Sequence, residues 1–516
     1  MNAPLEPRLG ERIWAGIEGT DLGHDLRQHL EDLRPGGIVL FRRNIQSLPQ
    51  CRALVTALRE VLGNGLHVAV DQEGGLVERF HGMLPSFPGN MALGAIGARD
   101  AAMAAHLARE QGRLLGLLLR DLGIDVNFAP ALDLAVTGAN PSTGLRSFGR
   151  HAELTGQLGA AFIEGQRSAG VLPCAKHFPG LGSATLDSHL DLPTVRAESQ
   201  DAALVPMRAA IAAEVPLIMT SHVIYEGLDP GAPATFSRNI VSELLRGTLG
   251  FRGVTVTDDL EMGAMQRRFE FPEVVRRAAL QHDVLTICSD RGLQCCARDR
   301  LRLGLEDDAF RAAHESALLR IAALSARPAA RGLDTVALAR EAEAVAEAIA
   351  GRAITVVRDE SRLLPLTGAI DVILPVRDAG TPVEDPLRGE SHAAELAAAL
   401  GNGVSVLEVA ARPGASDIAA AVERAGSAST LVLVLTAAVQ RVEQRELLQA
   451  VLARKPDTVI VALRSPFDLA LAAEYRNATL VASHGFRPVQ LHALARVLRG
   501  TTKSFGRLAI DLGGAP

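Results

Sequence analysis

The sequence predicts an α/β protein made of an N-terminal (βα)8 barrel followed by a smaller α/β domain of the three-layer sandwich type. Two patterns carry this prediction. Eight short apolar runs lie within the first 290 residues and are separated by helix-length segments. Such runs are typical of buried parallel strands, and eight β/α units are the number that closes a barrel. Six more runs alternate with Ala-rich helical segments after residue 350, as in a smaller three-layer domain.

The residues that follow the first eight runs favour a barrel with an active site. These strands are predicted at 13–17, 36–41, 66–70, 125–130, 173–178, 216–221, 254–258 and 283–288. DQEGG follows the third strand, a long Gly-rich loop follows the fifth, and two acids end the seventh. In a (βα)8 barrel the carboxyl ends of the strands carry the active site, so the pattern indicates an enzyme. An open, doubly wound sheet is the structural alternative.

The second domain is predicted to begin after a helical stretch rich in Ala and Arg. Pro328 and Gly332 interrupt this stretch and indicate a linker around residues 327–333. We therefore predict a barrel domain over residues 1–327, a linker and connecting helix over 328–350, and an α/β sandwich domain over 351–516. Its strands are predicted at 353–359, 370–376, 404–409, 430–436, 458–464 and 478–483. None of these strands is followed by G-x-G-x-x-G, so no nucleotide cofactor is expected.

Charge and composition exclude several classes of protein. The chain of 516 residues has 53 Lys and Arg against 59 Asp and Glu, and a net charge of −6 argues against nucleic acid as the main partner. The five Cys include no C-x-x-C pair, which argues against a disulfide framework or a thiolate zinc centre. No apolar stretch approaches the roughly 18 residues needed to span a bilayer, and the N-terminus does not resemble a signal peptide. We expect a soluble, cytoplasmic protein with no membrane partner.

The loop after the fifth strand holds the most informative pair of residues. Asp187 and His189 are two positions apart, so in an extended segment both side chains point to the same side. A carboxylate on one imidazole nitrogen fixes the tautomer and leaves the other nitrogen for proton transfer. The alternative is an Asp–His hydrogen bond that only stabilises the loop.

Two other strand ends carry acids and arginines suited to binding or catalysis. Asp258 and Asp259 end the seventh strand, where one carboxylate can face the barrel axis and attack an electrophilic carbon. Asp71, in DQEGG, and Arg79 follow the third strand. Their side chains are suited to hydrogen bonds with the vicinal hydroxyl groups of a ligand. Arg146 offers a fork of donors to a carbonyl or a hydroxyl pair. Helix caps, turns and a structural ion pair are the respective alternatives.

The motifs DQEGG…RF, NFAP-x-LDL, RSFG, KHFPG…DSH and TDDLEM each follow a predicted strand. The set resembles glycoside hydrolase family 3, and within it the β-N-acetylglucosaminidase branch. The resemblance continues into the second domain through LLPL, VALRSPFDLA, the segment from Ala478 to Gly500, and GRLAIDL. It therefore covers nearly the whole chain and implies the two-domain fold predicted above.

The resemblance implies specific roles and a carbohydrate substrate. Asp258 would be the nucleophile, and His189 assisted by Asp187 would be the general acid and base. The residues that would bind the terminal N-acetylglucosamine are Asp71, Arg79, Arg146, Lys176 and His177, with His222 near the same pocket. A small N-acetylglucosaminide derived from peptidoglycan would be the substrate, and no metal or other cofactor is implied.

The sequence departs from the family pattern at four positions. Leu76 stands where Arg normally follows DQEGG, Leu145 replaces an Asp, Leu181 replaces the second His of KHFPGHG, and Gln281 replaces a Gly. None of these changes removes the expected nucleophile or proton-transfer group. Three alternatives to a hydrolase remain open on the sequence: a β-N-acetylglucosaminide phosphorylase, a β-glucosidase-type enzyme, and a catalytically silent sugar-binding protein.

Overall fold

The first part of the chain forms a closed barrel of eight parallel strands, joined in chain order around the ring. The computed structural model describes residues 6–140, 142–196, 200–324, 332–376, 382–384 and 391–513. The strands are β1 (Ile13–Gly16), β2 (Gly37–Leu40), β3 (His67–Val70), β4 (Val126–Asn127), β5 (Leu172–Phe178), β6 (Leu217–Thr220), β7 (Val254–Asp259) and β8 (Val284–Ile287). Trp14 of β1 pairs with Gly37 of β2 and with Thr286 of β8, which closes the ring. This closure confirms the predicted barrel and excludes the open sheet.

The interior of the barrel is filled by side chains and is not a pore. Trp14 is fully buried and stacks on Phe128, with ring centroids 6.0 Å apart. Gly37 allows this packing, because a Cβ there would lie 2.6 Å from the indole ring. The surrounding helices are His24–Leu33, Leu48–Leu62, Asn90–Gly97, Ala101–Asp121, Ala152–Ala169, Gln200–Ala212, Asn239–Thr248, Gly263–Gln266, Phe271–Ala279, Arg291–Gly304 and Asp308–Ala322.

The second part of the chain forms a six-stranded sheet between two helical layers. The strands are β9 (Thr355–Arg358), β10 (Ile370–Pro375), β11 (Val404–Val409), β12 (Leu431–Leu435), β13 (Val459–Ala462) and β14 (Thr479–Ala482). Their order across the sheet is β9–β14–β13–β12–β10–β11, and β9 is antiparallel to its neighbour. The helices are His392–Leu400, Ala415–Ser427, Val442–Arg454, Pro466–Ala472 and Pro488–Leu498. All six predicted strands are present, and separate apolar cores on the two faces make this an α/β sandwich.

A helix connects the two parts and packs against both. It runs over Thr335–Ala353 and is capped by the Asp334 carboxylate, which accepts hydrogen bonds from two backbone amides of the first turn. Leu338 and Ile349 of this helix join the core formed by the barrel helices, whereas Ala350 joins the core of the second part. The predicted boundary at residues 327 and 328 lies outside the described residues, so the division into domains stays a prediction.

The carboxyl end of the second sheet faces the carboxyl end of the barrel. Arg487, after β14, donates to the carbonyl of Gly75 at 2.9 Å. Gln440, after β12, donates to the carbonyl of Gly138 at 2.7 Å. The second part therefore walls one side of the barrel mouth. Within the described ranges, no helix is long and apolar enough to cross a membrane.

Candidate active site

A cavity of about 1000 Å³ opens at the carboxyl end of the barrel. Seven of the nine candidate residues border it: Asp71, Arg79, Arg146, Lys176, His177, His189 and Asp258. Asp187 and His222 are not among the described residues that border the cavity, because both lie behind it. The strand-end pattern thus brings residues from five parts of the sequence to one place.

A buried network of ion pairs forms one wall of this cavity. Lys176 of β5 donates to Asp71 and pairs with Glu73, each at 2.7 Å. Glu73 also receives two bonds from the guanidinium of Arg146, at 2.8 and 2.9 Å. Burial alone would raise the pKa of Glu73, but the charges of Arg146 and Lys176 hold that pKa well below its usual range. Glu73 therefore stays ionised and fixes both cations.

Glu73 was missed in the sequence, although a signal was present. It lies two positions after Asp71, so an extended segment places both carboxylates on the same side. Its contacts show that the Arg146 guanidinium forms a buried ion pair, yet Arg146 also borders the cavity, so its role in sugar binding stays a prediction.

A second carboxylate that the sequence did not single out orients His177. Asp133, within the NFAP-x-LDL motif, lies 2.7 Å from Nδ1 of His177. It also accepts the amide of Leu181 at 2.6 Å. Nδ1–H of His177 is directed to Asp133. Nε2 of the same ring therefore faces the cavity and lies 3.4 Å from Arg146.

Asp187 and His189 form the pair that their spacing predicted. Nδ1 of His189 lies 2.7 Å from Oδ1 of Asp187, which also accepts the His189 amide at 3.0 Å. The Asp187 side chain is 2% exposed and that of His189 is 24% exposed, so the imidazole shields the carboxylate from solvent. Burial would raise the pKa of Asp187, but the bond and charge of His189 lower it. Nε2 of His189 remains for proton transfer at the cavity.

The loop that carries this pair is seated directly beside the end of β7. Gly263 donates its amide to the carbonyl of His189 at 3.3 Å, and Ala264 donates to Ser188 at 3.1 Å. A Cβ on Gly263 would lie 2.6 Å from the His189 carbonyl oxygen, so only glycine allows this approach. Asp191 anchors the end of the loop through a bidentate ion pair with Arg268.

Asp258 and Asp259 both border the cavity, which corrects the expectation that only one of them would face inward. The reason is a shift of register between β7 and β8, which interrupts the alternation of side chains before Asp259. Burial would raise the pKa of Asp258, but the neighbouring His177, His222 and His189 lower it.

The two adjacent carboxyl groups have opposite electrostatic environments. Burial, Glu261 and Asp258 raise the pKa of Asp259 to about 7. Its Oδ1 accepts the amides of Glu261 at 3.1 Å and Cys288 at 3.2 Å, so Asp259 ties β7 to β8. Asp258 is ionised at neutral pH and is therefore the better candidate for a nucleophile.

His222 is fully buried beneath these two acids and does not reach the cavity. Its Nε2 donates to the carbonyl of Asp259 at 2.9 Å, and its Nδ1 lies 2.7 Å from Oγ1 of Thr235. Burial lowers its pKa. This geometry corrects its assignment to sugar binding, because it holds the backbone that carries Asp258 and Asp259.

The departures from the family pattern lie in packed regions. Leu76, Leu145 and Leu181 are 3%, 1% and 4% exposed. Leu76 and Leu145 belong to the core shared with the second sheet, and Leu181 belongs to the core of the barrel helices. Gln281 accepts a hydrogen bond from Ser242 at 3.0 Å, before β8 begins. The three leucines are packed apolar side chains, and none of the four residues is among the described residues that border the cavity.

The second sheet supplies part of the cavity wall. Pro382, Val383, Glu384 and Arg487 border the cavity, and the Val383 carbonyl accepts a bond from Arg79 at 2.9 Å. The described residues contain no group of three or more His, Cys, Asp or Glu side chains arranged to hold a metal ion.

A closed barrel with a carboxylate and a carboxylate-backed imidazole on one cavity at the carboxyl ends of its strands has the arrangement typical of a barrel enzyme. Residues 12–291 match the model of the glycosyl hydrolase family 3 N-terminal domain. The chain belongs to glycosyl hydrolase family 3 and is a glycoside hydrolase, as the motifs implied.

Similar proteins match either part of this chain or nearly all of it. The chain is 40% identical over 282 residues to a β-hexosaminidase of Alkalilimnicola ehrlichii, a match that spans 54% of this chain and 80% of the relative. A family 3 β-N-acetylglucosaminidase structure from Paenibacillus sp. str. FPU-7 is 32% identical, covers 99% of both chains and superposes with a TM-score of 0.86. NagZ from Neisseria gonorrhoeae is 31% identical, with a TM-score of 0.54 over 65% of this chain and 97% of that one.

Proposed function

We propose that this protein is a retaining exo-β-N-acetylglucosaminidase that removes a terminal N-acetylglucosamine. The observation that carries the proposal is that the imidazole of His189 and the carboxylate of Asp258 border one cavity. The sugar is inferred from the similar β-hexosaminidases and the similar family 3 β-N-acetylglucosaminidase. Asp71, Arg79, Lys176 and His177 would hold the sugar hydroxyls.

The reaction requires two displacements at the anomeric carbon. In the first, a carboxylate oxygen of Asp258 forms a bond to that carbon while the bond to the leaving oxygen breaks, and protonated His189 gives its proton to that oxygen. In the second, neutral His189 takes a proton from water, whose oxygen displaces Asp258 and releases the sugar. Two inversions retain the anomeric configuration.

The ion-pair network explains how the sugar would be oriented. Lys176 and Arg146 are held by Glu73, so their remaining donors need no reorganisation when a substrate arrives. Asp187 stabilises the imidazolium form of His189 without taking the proton itself. These groups are already paired without a sugar present, and such pre-orientation would lower the barrier to reaction.

The proposal is tested with purified protein and 4-nitrophenyl N-acetyl-β-glucosaminide. NMR during hydrolysis should show the β-anomer of the free sugar first. A 5-fluoro N-acetylglucosaminyl fluoride should add one glycosyl group, and peptide mapping should locate that group on Asp258. An inverted product, or a label on another residue, would contradict the proposal. The absence of turnover together with sugar binding would favour the silent sugar-binding alternative.

One observation favours phosphorolysis as a second candidate. The expected base is a neutral imidazole, which does not repel an incoming phosphate as a carboxylate would. If phosphate is the acceptor, adding it should accelerate turnover, and N-acetylglucosamine 1-phosphate should accumulate. If water is the acceptor, the rate and product should be independent of phosphate.

The proposal extends to a cytoplasmic role in the turnover of peptidoglycan fragments. Its support is the implied exo-acting specificity for N-acetylglucosamine. Cell fractionation with an antibody tests the location. Analysis of soluble cell-wall fragments in a deletion strain tests the substrate, since fragments with a terminal N-acetylglucosamine should accumulate.

A further inference from the structure

The loop after β3 folds back on itself as a hairpin that carries two of the residues assigned to the sugar. Its short antiparallel strands are Gln72–Gly74 and Val77–Glu78, and Asp71 and Arg79 lie at its two ends. Both of these end residues border the cavity. The distance between their side chains and the direction in which they point therefore depend on the shape of this hairpin.

Arg487, which lies between β14 and the helix Pro488–Leu498, contacts the hairpin at three points. Its Nε donates to the carbonyl of Gly75 at 2.9 Å and lies 3.2 Å from the carboxylate of Glu78. Its Nη1 lies 2.7 Å from Nδ1 of His81, which accepts the bond because a guanidinium only donates. These contacts reach from the turn of the hairpin to the residues beyond its second strand.

The carboxylate of Glu78 is buried and depends on Arg487 for its counter-charge. The Glu78 side chain is 1% exposed and that of Arg487 is 3% exposed. Glu78 also accepts the hydroxyl of Ser86 at 2.9 Å and the amide of Phe87 at 3.1 Å. Nδ1 of His81 lies 3.7 Å from Glu78, but this nitrogen accepts from Arg487 and so has no proton to offer. Because a buried carboxylate without a counter-charge is costly, removal of Arg487 should displace Glu78 and the hairpin.

The position of Glu78 determines the position of Arg79, the next residue along the chain. Nη1 of Arg79 donates to the carbonyl of Val383 at 2.9 Å, and its Nη2 lies 3.5 Å from Asp71. The Arg79 side chain is 4% exposed, so its surroundings leave it little freedom to compensate for a shift of the backbone. A displaced Glu78 would therefore move Arg79 relative to Asp71.

We propose that Arg487 is a positioning residue for the sugar, which holds the hairpin so that Asp71 and Arg79 face the cavity together. Arg487 acts through Glu78 and does not have to touch the sugar itself. This inference rests on the proposed function and gives a residue of the second sheet a part in the site of the barrel. Removal of Arg487 should weaken sugar binding and leave proton transfer at His189 unchanged.

The test measures kcat and KM for 4-nitrophenyl N-acetyl-β-glucosaminide, and the Kd of N-acetylglucosamine by calorimetry. Arg487→Met keeps most of the length of the side chain and removes its charge and its donors. It should raise KM and Kd about tenfold and change kcat by less than about threefold, because the sugar hydroxyls are bound in both the ground state and the transition state. Arg487→Lys keeps the charge without the fork of donors and should recover part of the affinity.

Arg499→Met is the matched control. Arg499 lies at the other end of the helix Pro488–Leu498 and donates to the carbonyl of Leu400 at 2.9 Å, so its removal should change neither KM nor Kd. Glu78→Gln removes the partner on the barrel side and should raise KM as well. In the double variant of Glu78→Gln and Arg487→Met, KM should rise no further than in Arg487→Met alone, because the two residues act as one unit.

A rescue experiment separates positioning from general damage to the fold. Arg487→Ala should leave a space that opens to the cavity, because Arg487 borders it. Guanidinium chloride at millimolar concentration should enter this space, pair with Glu78 and lower KM towards the wild-type value. Sodium chloride at the same ionic strength should not. A raised KM that guanidinium does not lower would show a general loss of packing and would overturn the inference.

The other outcomes decide as well. A KM and Kd within about twofold of the wild-type values in Arg487→Met, or an equal increase in Arg499→Met, would overturn the inference. If the Arg487 variants do not fold, KM of Glu78→Gln decides, and an unchanged value overturns the inference. A wild-type protein that binds N-acetylglucosamine without cleaving the substrate would end the proposed function, and the Kd values would then decide the role of Arg487. A protein that does neither would overturn both.

Discussion

The carboxyl ends of the barrel strands and of the second sheet are built from the same kind of parallel strand but have different uses. At the barrel end, the loops surround a cavity of about 1000 Å³. At the end of the second sheet, a space of only about 10 Å³ remains beside Thr436, Arg441 and Phe486. The carboxyl ends of parallel strands therefore indicate a candidate site only where the loops that follow them do not pack against another part of the protein.

The difference arises because the second sheet uses its carboxyl end as a contact surface. Gly138 of the barrel packs so closely on Phe467 that a Cβ at Gly138 would lie 2.8 Å from the Phe467 Cβ. Arg487 is buried against Glu78 and the carbonyl of Gly75. The loops of the second sheet thus close one side of the barrel cavity instead of forming a cavity of their own.

Buried carboxyl groups show the same contrast. Three histidines near Asp258 outweigh burial and lower its pKa. Asp468, in the second domain, accepts the amide of Val439 at 2.8 Å, and its Oδ2 has no hydrogen-bond partner in the structure. Burial raises the pKa of Asp468 to about 6. The buried acid at the barrel cavity thus has a lowered pKa and the buried acid Asp468 a raised one, and a nucleophile at neutral pH requires the former.

The largest expected effect separates the two adjacent acids of the barrel. Asp258→Asn should lower kcat/KM by about 10⁴-fold or more, because the amide cannot form the glycosyl ester. Asp259→Asn should lower it by less than about tenfold, since Asp259 is already partly protonated near pH 7 and mainly accepts backbone amides. Steady-state kinetics of both variants provides the measurement. Similar losses in the two variants would remove the distinction between these acids.

The next prediction breaks the charge network of the barrel. Glu73→Gln leaves two buried cations without their shared anion and should lower the free energy of unfolding by about 3–5 kcal/mol. It should also raise KM. Glu395→Gln, which removes an exposed pair with His492 in the second domain, should cost no more than about 1 kcal/mol. Urea unfolding of both variants measures the contrast, and equal costs would show that burial of the pair does not matter.

The third prediction tests the isolated acid of the second domain. A pKa of about 6 for Asp468 means that the folded state binds more protons than the unfolded state between about pH 4 and pH 6. This contribution is fully present below the unfolded pKa and is lost as the pH rises through 6. Asp468→Asn removes the titration, so its stability relative to the wild type should increase by up to ~3 kcal/mol between pH 4 and pH 8.

Thermal or urea unfolding across that pH range checks the third prediction. A stability difference between the two proteins that stays constant from pH 4 to pH 8 would contradict it.

The smallest expected effect concerns the close contact between Gly263 and the loop that carries His189. Gly263→Ala should push the His189 carbonyl away and lower kcat by about tenfold, with a smaller change in KM, because proton transfer needs close alignment. Gly65→Ala is the matched control, since a Cβ there has no heavy atom within 4 Å. Equal activities of the two variants would show that the loop tolerates the displacement.

Much of the candidate site was predictable because its residues follow strands directly. Strand identity depends on local apolar runs, so the eight barrel strands and the six strands of the second sheet were predicted, whereas five short strands in the loops, which lack such runs, were not. Seven of the nine candidate residues border the cavity. Glu73 and Asp133 were missed because their partners, Arg146 and His177, lie 73 and 44 residues away along the chain.

The sequence by itself determined which segments become strands and which polar residues stand at their ends. Only the tertiary structure decided which of those residues have their charge compensated by an ion pair, and which are buried or accessible. His222 follows a strand closely, as Asp71 does, yet it lies beneath the cavity. Arg42 and Arg43 have no motif, yet they border the cavity without a carboxylate partner in the described chain. The physical reason is that periodicity acts between neighbours in sequence, whereas electrostatic balance depends on distances that exist only after the barrel has closed.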